Sequence, residues 1–281
     1  MPVSIVDRSS GLAPLLVSTI ERSRDVRIAV AFASTGGLDL IRGALLQSLI
    51  SGAHVEFIIG MDLGGTEPAA LWALHQLGRE KPNVRLYCCA HLSGAGVYHP
   101  KLYVMDAPEE NTAVIGSSNL TEGGLQRNDE VNAVIRGTSR DEAISDVYAA
   151  YGRLKFGPCT VEPDDELLER YQALCEIQKP LPRHSAEHEH ARKLVRELRS
   201  KVQALHRPTA TRRDLVGWLE LVYDSLPDGE FTTRQVYALK GEFARHYPAN
   251  QNVEAKIRQQ LQMLRDMGLV EHLERGRWRR V

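Results

Sequence analysis

His99-Pro100-Lys101-Leu102-Tyr103-Val104-Met105-Asp106 is the stretch on which the reading of this chain turns. It falls in residues 97–105, a run rich in β-formers, and so reads as a strand, where residues two apart share a face. His99 and Lys101 then point the same way, a nucleophile or base beside a fixed positive charge. Asp106 has the opposite parity and stands at the strand end, so it reads as structural. Residues 113–116 read as a neighbouring strand whose end delivers Ser117 and Asn119, from Gly116-Ser117-Ser118-Asn119, to one side. Asn128 and Glu130 follow. Glu130 opens the run Val131-Asn132-Ala133-Val134-Ile135, and from there its carboxylate could reach a ring nitrogen of His99 and fix its tautomer. Nucleophile, orienting carboxylate and polar clamps are the parts of phosphoryl-transfer chemistry.

His99, Lys101 and Asp106, followed by Gly116, Ser117 and Asn119, resemble the HxKxxxxD…GSxN signature of the phospholipase D superfamily. Asn128 and Glu130 extend the likeness, because single-motif nucleases of that superfamily carry a glutamate there. The resemblance covers roughly the first half of the chain. It implies an α/β fold, a phospholipase D-like mixed-sheet sandwich, and phosphodiester hydrolysis through a phosphohistidine on His99. In that mechanism Lys101 and Asn119, with Ser117 in support, stabilise charge on the non-bridging oxygens, and Glu130 holds His99. A second histidine must protonate the leaving oxygen and later activate water. No other histidine of the chain has a lysine two positions on. The missing half is therefore expected from another copy, in a homodimer formed through this domain. The route calls for no cofactor and no metal.

Bulk properties set outer limits. The chain has 281 residues, enough for two domains with separate cores. With 43% hydrophobic and 25% charged residues it is ordinary globular material, which excludes wholesale disorder. A net charge of −1 offers no general attraction to nucleic acid, so a DNA partner must be met by a local basic surface. Apolar runs stop short of membrane-spanning length. The start, Met1-Pro2-Val3-Ser4-Ile5-Val6-Asp7, lacks a basic n-region and a signal-type apolar core. A cytoplasmic protein with no membrane partner is expected. Cys88 and Cys89 are adjacent while Cys159 and Cys175 stand apart, a pattern suggesting neither a zinc knuckle nor a disulfide framework.

Strand and helix signals alternate through the first region. Strands are expected at 26–32, 55–61, 84–90, 97–105, 113–116 and 130–135, with helices at 37–50, 68–77 and 141–154, the last covering the sheet. The expected divisions are 1–158 for this domain, 159–210 for a charged helical connector broken at Lys179-Pro180-Leu181-Pro182, and 211–281 for a third region. His184 and His188, spaced i,i+4 in the connector, have metal-ligand spacing. Solvated helix histidines are the simpler reading, and no metal site is expected.

The third region begins with an amphipathic helix over 214–223, and Thr232 or Thr233 can cap a second. After Pro248 a long helix is expected at 253–267, with Val253, Ile257, Leu261 and Leu264 on one buried stripe. Asn252, Ala255, Gln259 and Gln262 fall opposite, flanked by Lys256 and Arg258. A hairpin turning at Arg275-Gly276-Arg277 ends the sequence. Three helices followed by a basic hairpin describe a winged helix, a fold that also serves as a protein–protein module. Amide and basic side chains on its long helix suit major-groove readout, and the hairpin arginines suit phosphates. The candidate DNA contacts are Asn252, Ala255, Lys256, Arg258, Gln259 and Arg277, with Ala255 small enough for a base methyl group to pack near it. The stretch is similar to the C-terminal winged helix of restriction endonucleases that recognise adenine-methylated DNA. That resemblance implies double-stranded DNA as partner, a restriction role, and a cognate DNA methyltransferase beside it. A DNA endonuclease is the leading expectation. A non-specific nuclease or phosphodiesterase and a catalytically silent dimeric DNA-binding regulator are the alternatives.

Overall fold

Short runs of β-branched and apolar residues alternate with helical periodicity, and the chain folds accordingly. The computed structural model describes residues 3–7, 11–62, 65–90, 96–178 and 185–281. The elements in chain order are β1 (Val3–Asp7), α1 (Leu12–Ile20), β2 (Asp25–Val30), α2 (Thr35–Ile50), β3 (His54–Gly60), α3 (Pro68–Glu80), β4 (Val84–Cys89), β5 (Lys101–Asp106) and β6 (Asn111–Gly116). A π-helical turn (Gly123–Arg127) leads to β7 (Val131–Gly137), α4 (Glu142–Lys155), β8 (Thr160–Val161), α5 (Asp165–Gln178) and α6 (Ser185–Ala204).

The strands form one sheet in the order β1-β7-β6-β5-β2-β3-β4-β8. β2, β3 and β4 run parallel, while β5 pairs antiparallel with both β2 and β6, which makes the sheet mixed. The register sets Val26, Ile28 and Val30 opposite Met105, Tyr103 and Lys101. Side chains on that face, together with Phe57 and Ile59, join apolar residues of α1, α2, α3, α5 and α6 in a single core. Fully burying such a side chain contributes about 1.5–3 kcal/mol relative to leaving it in water.

Three expectations are corrected here. β5 begins at Lys101, because Pro100 has no N–H to give a ladder; its carbonyl instead accepts the Ala31 N–H at 2.9 Å. The residues expected as a connector bury Leu167, Leu168, Tyr171, Leu174 and Leu198 in the core of the sheet. Their charges lie outside that apolar stripe, where Arg170 pairs with Glu166 and Glu197, and Lys201 with Asp164. The break at Lys179-Pro180-Leu181-Pro182, His184, and the side chains of His188 and His190 lie outside the described residues. Thirdly, α4 groups with the C-terminal region. The chain divides into two compact units, 3–134 with 157–208 and 135–156 with 209–281.

In the second unit a 3₁₀ turn (Arg212–Asp214) precedes α7 (Trp218–Asp224), β9 (Glu230–Thr232), α8 (Thr233–Tyr237), α9 (Lys240–His246), α10 (Val253–Asp266), β10 (Val270–Glu274) and β11 (Arg277–Arg280). Thr232 caps α8 in a reciprocal box with Gln235. The hairpin turns at Gly276, whose φ of 77° is costly for a residue with a Cβ. Trp218, Phe243, Ile257, Leu261, Leu264 and Trp278 form the core of this winged helix. α4 is built into the same unit. Buried Lys155 pairs with buried Asp214 at 2.7 Å, Ser145 Oγ accepts the Trp218 N–H at 2.8 Å, and Asp146 accepts from Lys256. Among the described residues, no helix is long and apolar enough to cross a membrane.

Candidate active site and DNA-reading surface

The ladder that pairs Val30 with Lys101 also brings Phe32 to His99, since both chains continue past it. The two rings meet edge to face, with centroids 5.8 Å apart. Lys101 is buried along its stem, and its Nζ lies 2.7 Å from Nδ1 and 3.0 Å from Nε2 of His99, and 3.1 Å from the His99 carbonyl oxygen. The two ring lone pairs diverge in the ring plane, so one ammonium cannot be hydrogen-bonded to both. It rests against the imidazole as a fixed positive charge. Burial draws the Lys101 ammonium below its ordinary pKa, and the Glu130 carboxylate opposes that shift. Glu130 also adds to burial in pushing the Tyr103 phenol up, so its charge acts on the Lys101–Tyr103 face of β5.

The second cluster is delivered by the end of β6. Gly116 runs so close to β7 that a Cβ there would overlap the Val131 carbonyl and the Asn132 side chain. Ser118 is fully buried: its N–H and Oγ bond to the Asn132 amide, and its carbonyl accepts from Tyr103. With Ser118 turned inward, Ser117 and Asn119 are left on the outer side. Ser117 Oγ accepts the N–H of Val131 at 3.1 Å, which ties it to the neighbour of Glu130. Asn119 Oδ1 accepts the Phe32 N–H at 3.1 Å, which leaves its Nδ2 as the outward donor. Glu130 accepts from Asn128 at 3.3 Å. Its carboxylate makes no hydrogen bond to His99 within the chain, so the sequence-based placement of Glu130 on the ring is not met there. Asp106 lies at the far end of β5, paired with Arg24 at 3.3 Å, as its parity implies.

On α10 the apolar stripe is buried as expected, and a polar strip stays open. Asn252, Arg258, Gln259 and Gln262 are exposed, and Ala255 is half-buried beside them. Lys256 departs from expectation. It is buried and paired with Asp146 of α4, because α10 packs on two sides in this unit rather than one. Arg277 is exposed but already paired with Glu274 at 2.7 Å and Glu230 at 2.8 Å. Arg279 shares Glu230, so much of the hairpin's positive charge is met within the hairpin. Among the described residues, Arg234, Arg258 and Arg275 are cations of this unit with no ion pair.

Two family models match the chain. Residues 16–151 match the model described as cardiolipin synthase, PLD-like domain, and residues 213–280 match the Dam-replacing HTH domain. The chain joins a phospholipase D-like domain to a Dam-replacing HTH domain. Similar solved structures include Nuc from Salmonella typhimurium, a phospholipase D family member, at 20% identity over 53% of this chain and 91% of that one, with a TM-score of 0.42. NucT from Helicobacter pylori is 19% identical over 54% of this chain and 94% of that one, with a TM-score of 0.43. The phosphatidylserine synthase of Haemophilus influenzae Rd KW20 is 13% identical over 72% of this chain and 46% of that one, with a TM-score of 0.45.

In the phospholipase D-like domain, sequence reading singled out candidate site residues and missed the neighbours that pack against them. Phe32 and Asn132 are the clearest cases. Both are ordinary strand-end residues by composition, and only pairing across the sheet brings them to His99 and Ser118. Phe32 sits two residues past the end of β2, a position the antiparallel register with β5 could have flagged. Among the described residues no three His, Cys, Asp or Glu side chains are grouped as a metal-ligand set.

Proposed function

We propose that this protein is a DNA endonuclease of the restriction type, in which the phospholipase D-like domain cuts and the HTH domain reads. The observation that carries the reading is the Lys101 ammonium held against the His99 imidazole, with Asn119 Nδ2, Ser117 and Glu130 delivered to the same end of the sheet. In the reaction a ring nitrogen of His99 attacks phosphorus. The P–N bond forms as the P–O bond to the leaving strand breaks. Lys101 and Asn119, with Ser117 in support, take the charge that develops on the non-bridging oxygens, so no metal is needed for it. The leaving oxygen takes its proton from His99 of a second copy. That imidazole then removes a proton from water, which attacks phosphorus and releases the first His99.

A second copy is also favoured by the surface around the site. Val97 is 50% exposed, Ile115 43% and Val131 60%, and these apolar residues lie beside His99, Ser117 and Glu130 in sequence. Exposed apolar side chains this near the candidate site in sequence suit a face that a second copy covers. In the dimer Glu130 would orient a His99 ring. For the HTH domain, Asn252, Gln259 and Arg258 on the open strip of α10 are the proposed base and phosphate contacts, Ala255 a seat for a base methyl group, and Arg277 a contact once its carboxylate partners yield. A DNA methyltransferase is the partner such a reader implies.

The test is digestion of plasmids with and without adenine methylation by the wild type and by His99→Ala, in excess EDTA. The expected result is cleavage by the wild type alone, with the methylated plasmid cut preferentially. Cleavage only with added magnesium, or unaltered cleavage by His99→Ala, would overturn the reading.

A further inference from the structure

His99 stands outside the strand ladder and is exposed, so its position depends on what fixes the chain on either side. On the C-terminal side the answer is the sheet: Pro100 O accepts from Ala31 and Lys101 opens β5. On the N-terminal side the anchor is Tyr98. Its ring is buried, packs over the backbone at Gly60, and turns its hydroxyl toward Ile58 O at 3.4 Å. Its backbone N–H donates to Asp62 Oδ2 at 2.8 Å, and Asp62 is itself 8% exposed. Asp62 in turn is set by the parallel sheet, since Met61 N–H donates to Cys89 O at 2.8 Å.

We propose that Asp62 is a positioning residue for His99. A carboxylate oxygen is a strong acceptor, and in a site with little water a charge-assisted bond to a backbone N–H is short and directional. It fixes the peptide that enters His99 just as the Ala31–Pro100 bond fixes the one that leaves. The imidazole is then held between two points, one just past the end of β2 at Ala31 and one just past the end of β3 at Asp62. Displacing a reacting group by about 1 Å costs on the order of 10²-fold in rate. The contact by which Asp62 acts on His99 is the hydrogen bond to the Tyr98 N–H, one residue before the ring. The inference rests on His99 being the nucleophile, and its test separates the two.

The full-length protein is compared as wild type, Asp62→Ala and Asp62→Asn, with His99→Gln used to identify the His99 ring signal in proton–nitrogen correlation spectra. Asn keeps an acceptor oxygen for the Tyr98 N–H, and Ala removes it. The expected result is a His99 ring signal that broadens or moves in Asp62→Ala while the His272 signal stays put, with the wild-type signal largely restored in Asp62→Asn. On duplex DNA, kcat should fall roughly tenfold to a hundredfold in Asp62→Ala with KM within about twofold, and recover in Asp62→Asn. A His99 signal unmoved in folded Asp62→Ala, or moved equally in both variants, overturns the role of Asp62. Absence of cleavage by the wild type, with the spectral pattern as expected, would instead remove the nuclease reading and leave the anchor standing.

Discussion

Lys101 Nζ lies 2.7 Å from Nδ1 of His99, and Glu130 acts on it as a charge rather than as a bonded partner. A buried ammonium against an imidazole is a costly arrangement, because burial disfavours the charged form. It has value where negative charge arrives from outside. In the proposed reaction a phosphodiester would bring that charge, and Lys101 and the Asn119 amide would be the donors that meet it.

The alkaline side of the pH–rate profile tests this assignment. Catalysis needs Lys101 protonated, and burial lowers its pKa, so activity should fall at a lower pH than an ordinary lysine would impose. Glu130 works in the opposite direction. Glu130→Gln should therefore move the alkaline limb to still lower pH, besides slowing the reaction on the order of 10²-fold through loss of orientation. A limb that stays in place or moves upward would show that Glu130 does not act on Lys101 during turnover.

DNA reading should separate two neighbouring basic residues of α10. Arg258 is exposed and unpaired, so Arg258→Ala should weaken binding and reduce the slope of log affinity against log salt by about 1. Lys256 is occupied by Asp146, so Lys256→Ala should lower thermal stability and leave that slope unchanged. Salt titrations of both variants on one duplex decide it. A lost phosphate contact in Lys256→Ala would mean that the ion pair opens on DNA.

The placement of α4 in the second unit rests on Lys155 and Asp214, both almost wholly buried and 2.7 Å apart. Lys155→Met would leave a buried carboxylate without its cation, a loss of about 3–5 kcal/mol. Chemical unfolding in a Trp72→Phe background, followed by Trp218 and Trp278 fluorescence, reports this unit. A change below about 1 kcal/mol, the range of exposed pairs, would mean the pair is solvated and α4 is only loosely held.

How much of this was legible in the sequence follows from which interactions are local. The HxKxxxxD and GSxN candidates, the strand–helix alternation and the α10 stripe are short-range patterns, and the fold carries out the last two. The Thr232 cap and the Gly276 turn were likewise written in a few adjacent residues. What escaped depends on packing between segments far apart. A helix rich in charge, such as α5, reads as solvated until its narrow stripe of Leu167, Leu168, Tyr171 and Leu174 finds the core. Lys256 reads as a free cation because nothing in its own helix announces Asp146, more than a hundred residues earlier. Asp62 and Phe32 matter only through neighbours brought by the sheet.

The central claim is that His99 carries the severed DNA end as a covalent intermediate. The direct measurement is rapid alkaline quenching of the protein with duplex DNA, which preserves a phosphoramidate, followed by digestion and mass spectrometry of nucleotide-bearing peptides. The predicted result is a DNA adduct on the peptide containing His99 in the wild type, and neither adduct nor cleavage in His99→Ala. Active cleavage by the wild type with no adduct, or with the adduct on another residue, would contradict the account.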